Sequence, residues 1–168
     1  MSTGAVTTPE KAREPDPATA PWLDASEARA WRAFINGSQR LTEVLNRELT
    51  EAHGVSIDDY RILVLLSESE RGALRMSELA DGIVSSRSRL THQVRRLEKQ
   101  GVVRREECPS DGRGVLAVLT PAGRELLAVV APTHVAGVRT HLVDHLDRTE
   151  QELLATIFTR IDSALSGA

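Results

Sequence analysis

Between Ser86 and Lys99 the chain reads SRSRLTHQVRRLEK, and this is the stretch whose side chains could do chemistry. It offers hydroxyls (Ser86, Ser88, Thr91), guanidinium groups (Arg87, Arg89, Arg95, Arg96) and one imidazole (His92). What they supply together is directed hydrogen bonding to anions and to base edges. A guanidinium can donate twice to guanine, a hydroxyl can bond either groove edge, and a threonine methyl can meet thymine. At about 100° per residue, Leu90, Val94 and Leu97 share one stripe of a helix. Ser88, His92, Arg95 and Lys99 then point the opposite way, with Arg89, Thr91 and Arg96 on the flanks and Glu98 as the one acid. A solvated amphipathic helix would look similar, so the neighbours decide. Just beyond lies CPSDGRG, a turn-forming run that places Asp111 two residues before Arg113. An acid so placed can orient the guanidinium for a minor groove.

Other reactive side chains are scattered. His141 and His145 stand four apart with His134 before them, a spacing that can chelate a metal. No cysteine or obvious third ligand accompanies them, so surface or interface histidines are expected, with no metal and no cofactor. Cys108 is the single cysteine, which excludes an internal disulfide and fits a reducing, cytoplasmic compartment. Arg104 and Arg105 would favour its thiolate while Glu106 and Glu107 oppose it, leaving a bland wing cysteine as the expectation. Gly-rich phosphate loops, a Gly-x-Ser-x-Gly elbow and a metal triad are all missing, which argues against an enzyme.

The charge is unevenly distributed. Residues 75–113 carry nine Lys/Arg and six Asp/Glu, net +3, in a chain whose net charge is −3. A basic middle between acidic flanks suits a local anionic partner. Its 168 residues fit one ordinary domain, with 40% hydrophobic and 27% charged residues. The longest uninterrupted apolar runs, within 57–66 and 125–132, fall far short of the ~18 residues that span a bilayer, so no membrane partner is expected. Nor does the chain open on a secretory pattern.

The elements that must position these groups follow from periodicity and caps. Residues 1–21 hold four of the seven prolines and almost no large apolar side chain, which predicts a disordered tail. Residues 22–168 form the expected domain. Trp31, Phe34, Ile35, Leu41, Val44, Leu45 and Leu49 recur at helical spacing up to a stop at Gly54. Such a helix would be ~42 Å long, more than a small domain's diameter, so it must protrude or pack against another chain. Ser56–Asp59 reads as a capping box opening a second, nearly all-round buried helix. Residues 68–74 read as a loop. Met76, Leu79, Ala80 and Ile83 give a short third helix, and Ser85 and Ser86 cap a fourth that ends at Gly101. Residues 102–107 and 115–119 then read as two short strands. Thr120-Pro121 starts a helix running to about Val143, with Pro132 an expected kink. Asp147–Glu150 is a second capping box before the last helix. The fold class is therefore mainly α with a small β-hairpin wing: a winged helix-turn-helix lobe plus a helical dimerisation region.

At this point the sequence resembles a family. Leu79-Ala80, Ser86-Arg87-Ser88-x-x-Thr91, Leu97-Glu98-x-x-Gly101, Asp111-x-Arg113 and Leu119-Thr120-Pro121-x-Gly123 match, in order and spacing, the multiple-antibiotic-resistance regulator (MarR) family. The likeness covers roughly residues 24–166. It implies a homodimer built by residues 22–55 and 120–168, with 56–119 as the DNA-binding lobe. It also implies a palindromic operator of double-stranded DNA, usually repressed, and release by a small-molecule effector. Ser86, Arg87, Ser88, Arg89, Thr91, His92, Arg95, Arg96, Asp111 and Arg113 would contact DNA. Trp31, Phe34, His53 and Tyr60 are the candidates for an effector pocket, and a packed core is their other reading. His92 departs from the arginine that many relatives carry, which changes base preference at that position. Zinc-sensing relatives place their histidine pair nearer the start of the fifth helix, and peroxide-sensing ones place cysteine near the start of the first. Two alternatives remain open at this point: a helical interaction module that does not bind DNA, and a metal-responsive variant of the same regulator.

Overall fold

The computed structural model describes residues 21–83, 86–108 and 114–166. The expected tail, Ser85 and the wing-tip pair Asp111 and Arg113 lie outside these residues, Pro21 excepted. The chain divides into two compact units, residues 1–37 and 38–168.

The first unit holds the start of helix α1 (Ala25–His53). Asp24 begins it: its Oδ1 accepts from the N–H groups of Ser26 and Glu27 at 2.7 and 2.9 Å. Glu27 returns the favour, accepting from the Asp24 N–H at 2.8 Å. Two orphan donors of the first turn are thereby satisfied.

The second unit continues α1, which buries Leu45 and Leu49 and closes at Gly54, where φ is +66°. Helix α2 (Ile57–Glu68) opens on the predicted capping box, with the Ser56 hydroxyl accepting from the Asp59 N–H at 3.2 Å. A short strand, β1 (Ala73–Arg75), leads into α3 (Met76–Gly82). Then come α4 (Arg87–Lys99), β2 (Val103–Glu107) and β3 (Val115–Leu119). Helix α5 (Pro121–His141) starts where proline's missing N–H costs nothing, and the Thr120 hydroxyl accepts from the Gly123 N–H at 3.0 Å. It runs through Pro132 unbroken. A 3₁₀ turn (Val143–His145) precedes α6 (Arg148–Ser166), which opens on the Asp147–Glu150 box.

One element differs from the sequence reading. Residues 73–75 form a third strand where the sequence predicts loop up to Leu74, and the antiparallel sheet has the order β1-β3-β2. Three residues are too few to show alternation. The partner that makes them a strand, Leu116–Val118, arrives only much later in the chain.

The main core packs Ile62, Leu63 and Leu66 of α2 against Leu79, the Leu90–Val94–Leu97 stripe of α4, Val103 and Leu119. Each such side chain, fully buried, is worth about 1.5–3 kcal/mol. Leu49, Val55, Tyr60 and Val130 form a second cluster, and Leu126 and Leu127 touch both. Outside these two clusters burial is sparse, with Leu45 of α1 among the few buried side chains. Among the described residues none of α6 is buried, and Leu153, Phe158, Ile161 and Leu165 are exposed. By length and composition alone, Pro121–His145 could cross a membrane, with mean hydropathy 1.3 over 18 residues. Counting only uninterrupted apolar residues missed this.

Candidate nucleic-acid interface

The outer face of α4 is built from its cap upward. The Ser86 hydroxyl accepts from the Arg89 N–H at 3.3 Å and lies 3.3 Å from the Ser88 hydroxyl. The buried Leu90–Val94–Leu97 stripe fixes the helix's rotation. Ser88, His92 and Arg95 consequently stand exposed on the crest. The half-buried Thr91 donates its hydroxyl to the carbonyl of Arg87 at 2.7 Å.

The two flanks of α4 are different. One faces the sheet. Arg87 and Thr91 line a groove of about 390 Å³ with Arg75, Ser77, Arg105 and Val115. Three arginines, Arg75, Arg87 and Arg105, thus line one cleft between helix and wing. Glu98 holds one of these lining residues. It accepts from the Arg105 backbone N–H at 3.2 Å and from the Arg105 guanidinium at 2.9 Å. That bonding holds the Glu98 carboxyl below the usual carboxylate range. The base of the wing is thereby tied to the end of α4.

The other flank faces the first turn of α2. Arg89 donates to Asp58 at 2.9 Å, and Gln93 donates to the same oxygen at 3.3 Å. Arg96 pairs with Asp59, whose side chain is only 3% exposed and which also accepts from the Ser56 hydroxyl at 2.7 Å. Sequence reasoning treated Arg89 and Arg96 as donors facing DNA alone and did not foresee these acceptors. The Ser-x-x-Asp spacing announced a cap, and nothing local announces that its acids also reach a helix 31 and 37 residues on.

The remaining candidates are accounted for separately. Trp31 and Phe34 lie in the first unit, both exposed, with ring centroids 6.0 Å apart. His53 and Tyr60 lie in the second. His53 Nε2 sits 2.7 Å from the Thr133 hydroxyl, and Tyr60 is buried against the His134 ring at 4.4 Å. Burial pushes the His134 pKa down and the Tyr60 pKa up. His141 Nε2 lies 2.7 Å from a Glu48 carboxylate oxygen. Among the described residues no three metal-ligating side chains gather. Cys108 is buried at the base of the wing, its N–H donating to the Gly114 carbonyl at 2.8 Å.

Comparison with known proteins agrees with this geometry. The sequence pattern of the MarR family matches residues 55–115. The fold matches that of AbsC, a MarR family transcriptional regulator from Streptomyces coelicolor, with TM-score 0.83 and 42% identity over 89% of this chain and 100% of that one. It also matches Sco3205, a MarR family transcriptional regulator of the same organism solved in complex with DNA, with TM-score 0.83 and 44% identity over 87% and 92% of the two chains. The HTH-type transcriptional regulator YkoM of Bacillus subtilis is 29% identical over 62% of this chain and 66% of its own length.

Proposed function

The chain belongs to the MarR family of transcriptional regulators, and from that premise we propose that it is a homodimeric repressor that reads an inverted repeat and is released by a small amphipathic effector. The observation that carries the reading is the outer face of α4. Exposed Ser88, His92 and Arg95 form its crest, beside a cleft lined by Arg75, Arg87 and Arg105. Protein donors of this kind meet base edges when they sit in a major groove, and phosphates when they flank it. Ser88, Arg89, Thr91 and His92 take the base contacts. Ser86, Arg87, Arg95 and Arg96 take mainly phosphates. Asp111 orients Arg113 toward the minor groove. The lobe is residues 56–119, while 22–55 and 120–168 pair the protomers. The protein works in the cytoplasm, where the DNA is.

Sco3205, solved with DNA, supports the partner. The exposed apolar residues of α5 and α6 support the dimer. The test is selection from a pool of random duplexes. The recovered sites should be inverted repeats with half-site centres ~10 bp apart, one turn of the double helix. Repeating the selection with His92→Ala should change the preferred base at one position in each half-site and leave the spacing alone. Recovery of no common sequence would sink the reading.

A further inference from the structure

Asp58 belongs to the first turn of α2 and reaches the expected DNA surface through side chains of α4. Its carboxylate accepts from Arg89 at 2.9 Å and from Gln93 at 3.3 Å. These two donors stand one turn apart on the same flank of the recognition helix, so a single acceptor spans both. The Arg89 side chain is 69% exposed and the Asp58 side chain 38% exposed. This contrasts with the adjoining Arg96–Asp59 pair, whose acid is buried. One pair is built in, the other exchangeable.

We propose that Asp58 is a specificity-determining residue: it occupies Arg89 until a base edge offers a better acceptor. The inference rests on the DNA-binding reading above. On arbitrary DNA the sequence-independent attraction comes from phosphates, and every free guanidinium near the backbone adds to it. An arginine already holding a carboxylate adds less. To reach a phosphate it must leave Asp58 uncompensated beside other phosphates. Two parallel bonds to guanine can repay that loss, whereas a single phosphate contact repays less of it. The gate therefore suppresses wrong sites more than right ones, which is how a repulsive element creates selectivity. Gln93 keeps the same acceptor when Arg89 leaves, so the carboxylate then loses its countercharge and retains one neutral donor.

The experiment compares the selected operator with a scrambled duplex of equal length, at one salt concentration, for the wild type, Asp58→Asn, Arg89→Ala and the double variant. Asp58→Asn should tighten binding to the scrambled duplex by up to about fivefold, the scale of an exposed ion pair. Operator affinity should change less, so the selectivity ratio falls. In the Arg89→Ala background the Asp58→Asn change should do nothing to the ratio, because no guanidinium remains to be gated. Asp58→Glu, which keeps the acceptor, should hold the ratio near wild type. If Asp58→Asn tightens both duplexes equally, or acts the same with and without Arg89, the carboxylate is only a diffuse negative charge and the proposal fails while DNA binding stands. If the wild type binds neither duplex, the underlying reading fails and the gate falls with it.

Discussion

Arg96 shows how one side chain can hold two assignments. From the sequence it is a phosphate donor on the flank of a basic helix. In the structure it is also the partner of Asp59, a carboxylate that water barely reaches. Removing the guanidinium leaves that carboxylate with the hydroxyl and backbone N–H of Ser56 and no countercharge. Arg96→Ala should therefore lower stability by about 1–3 kcal/mol, as expected when a buried acceptor loses its donor. Urea unfolding would measure it. The same variant should weaken binding to every DNA sequence alike and make the salt dependence shallower. A loss of affinity with unchanged stability would mean the Arg96–Asp59 pair does not support the fold. His134 supplies a second prediction at this scale. Its Nδ1 is buried with no hydrogen-bond partner among the described residues, and burial depresses its pKa below 6.5. The unfolded chain therefore takes up a proton before the folded one does. Stability from this group is whole above pH 6.5 and is lost as pH falls from there through the lower folded value. His134→Phe should remove that component. Melting temperatures of the two proteins should diverge in the variant's favour as pH drops from 7 to 5.

At the scale of elements, Glu98 is the tie between helix and wing. Its two oxygens take both the backbone and the side chain of Arg105, so β2 cannot swing away from α4 without breaking them. Charge alone would say that deleting an acid near DNA tightens binding. We expect the opposite: Glu98→Ala should weaken operator affinity, because a loosened wing must be ordered on binding. Titration of the operator with the variant would settle the sign. Much of this level was legible beforehand. Ser56, Ser86, Thr120 and Asp147 each marked a helix start, because a cap is a local event among three or four neighbouring residues. β1 was not legible, and neither were the pairs to Asp58 and Asp59. A three-residue strand carries no period, and an ion pair between separate helices leaves no trace in either stretch.

The whole molecule leaves apolar surface uncovered. Leu153 is 58% and Leu165 74% exposed, and none of the described residues of α6 is buried. Surface of that kind on a terminal helix is what a second copy would cover, and obligate pairs bury ~2,000 Å² or more. Light scattering at micromolar concentration should give about twice the 18.4 kDa of the chain. Ile161→Asp together with Leu165→Asp should shift that mass downward, since a carboxylate buried in an apolar interface is costly. The length of α1 and the apolar period of the last helix argue for the same expectation from the sequence. The face of α6 on which a partner would sit is not readable from one chain, because periodicity says which side is apolar and not what meets it.

The sheet order has a consequence for how the protein is made. β3 is the central strand and the last to be synthesised, and both β1 and β2 pair only with it. A growing chain on the ribosome thus carries two strands with no ladder to join until Val115–Leu119 emerges. Thr120 and the first turn of α5 follow immediately behind. The DNA-reading lobe and the helix that leads to the apolar terminus thus mature within one short interval of translation. The lobe that carries α4 cannot close its sheet before that moment.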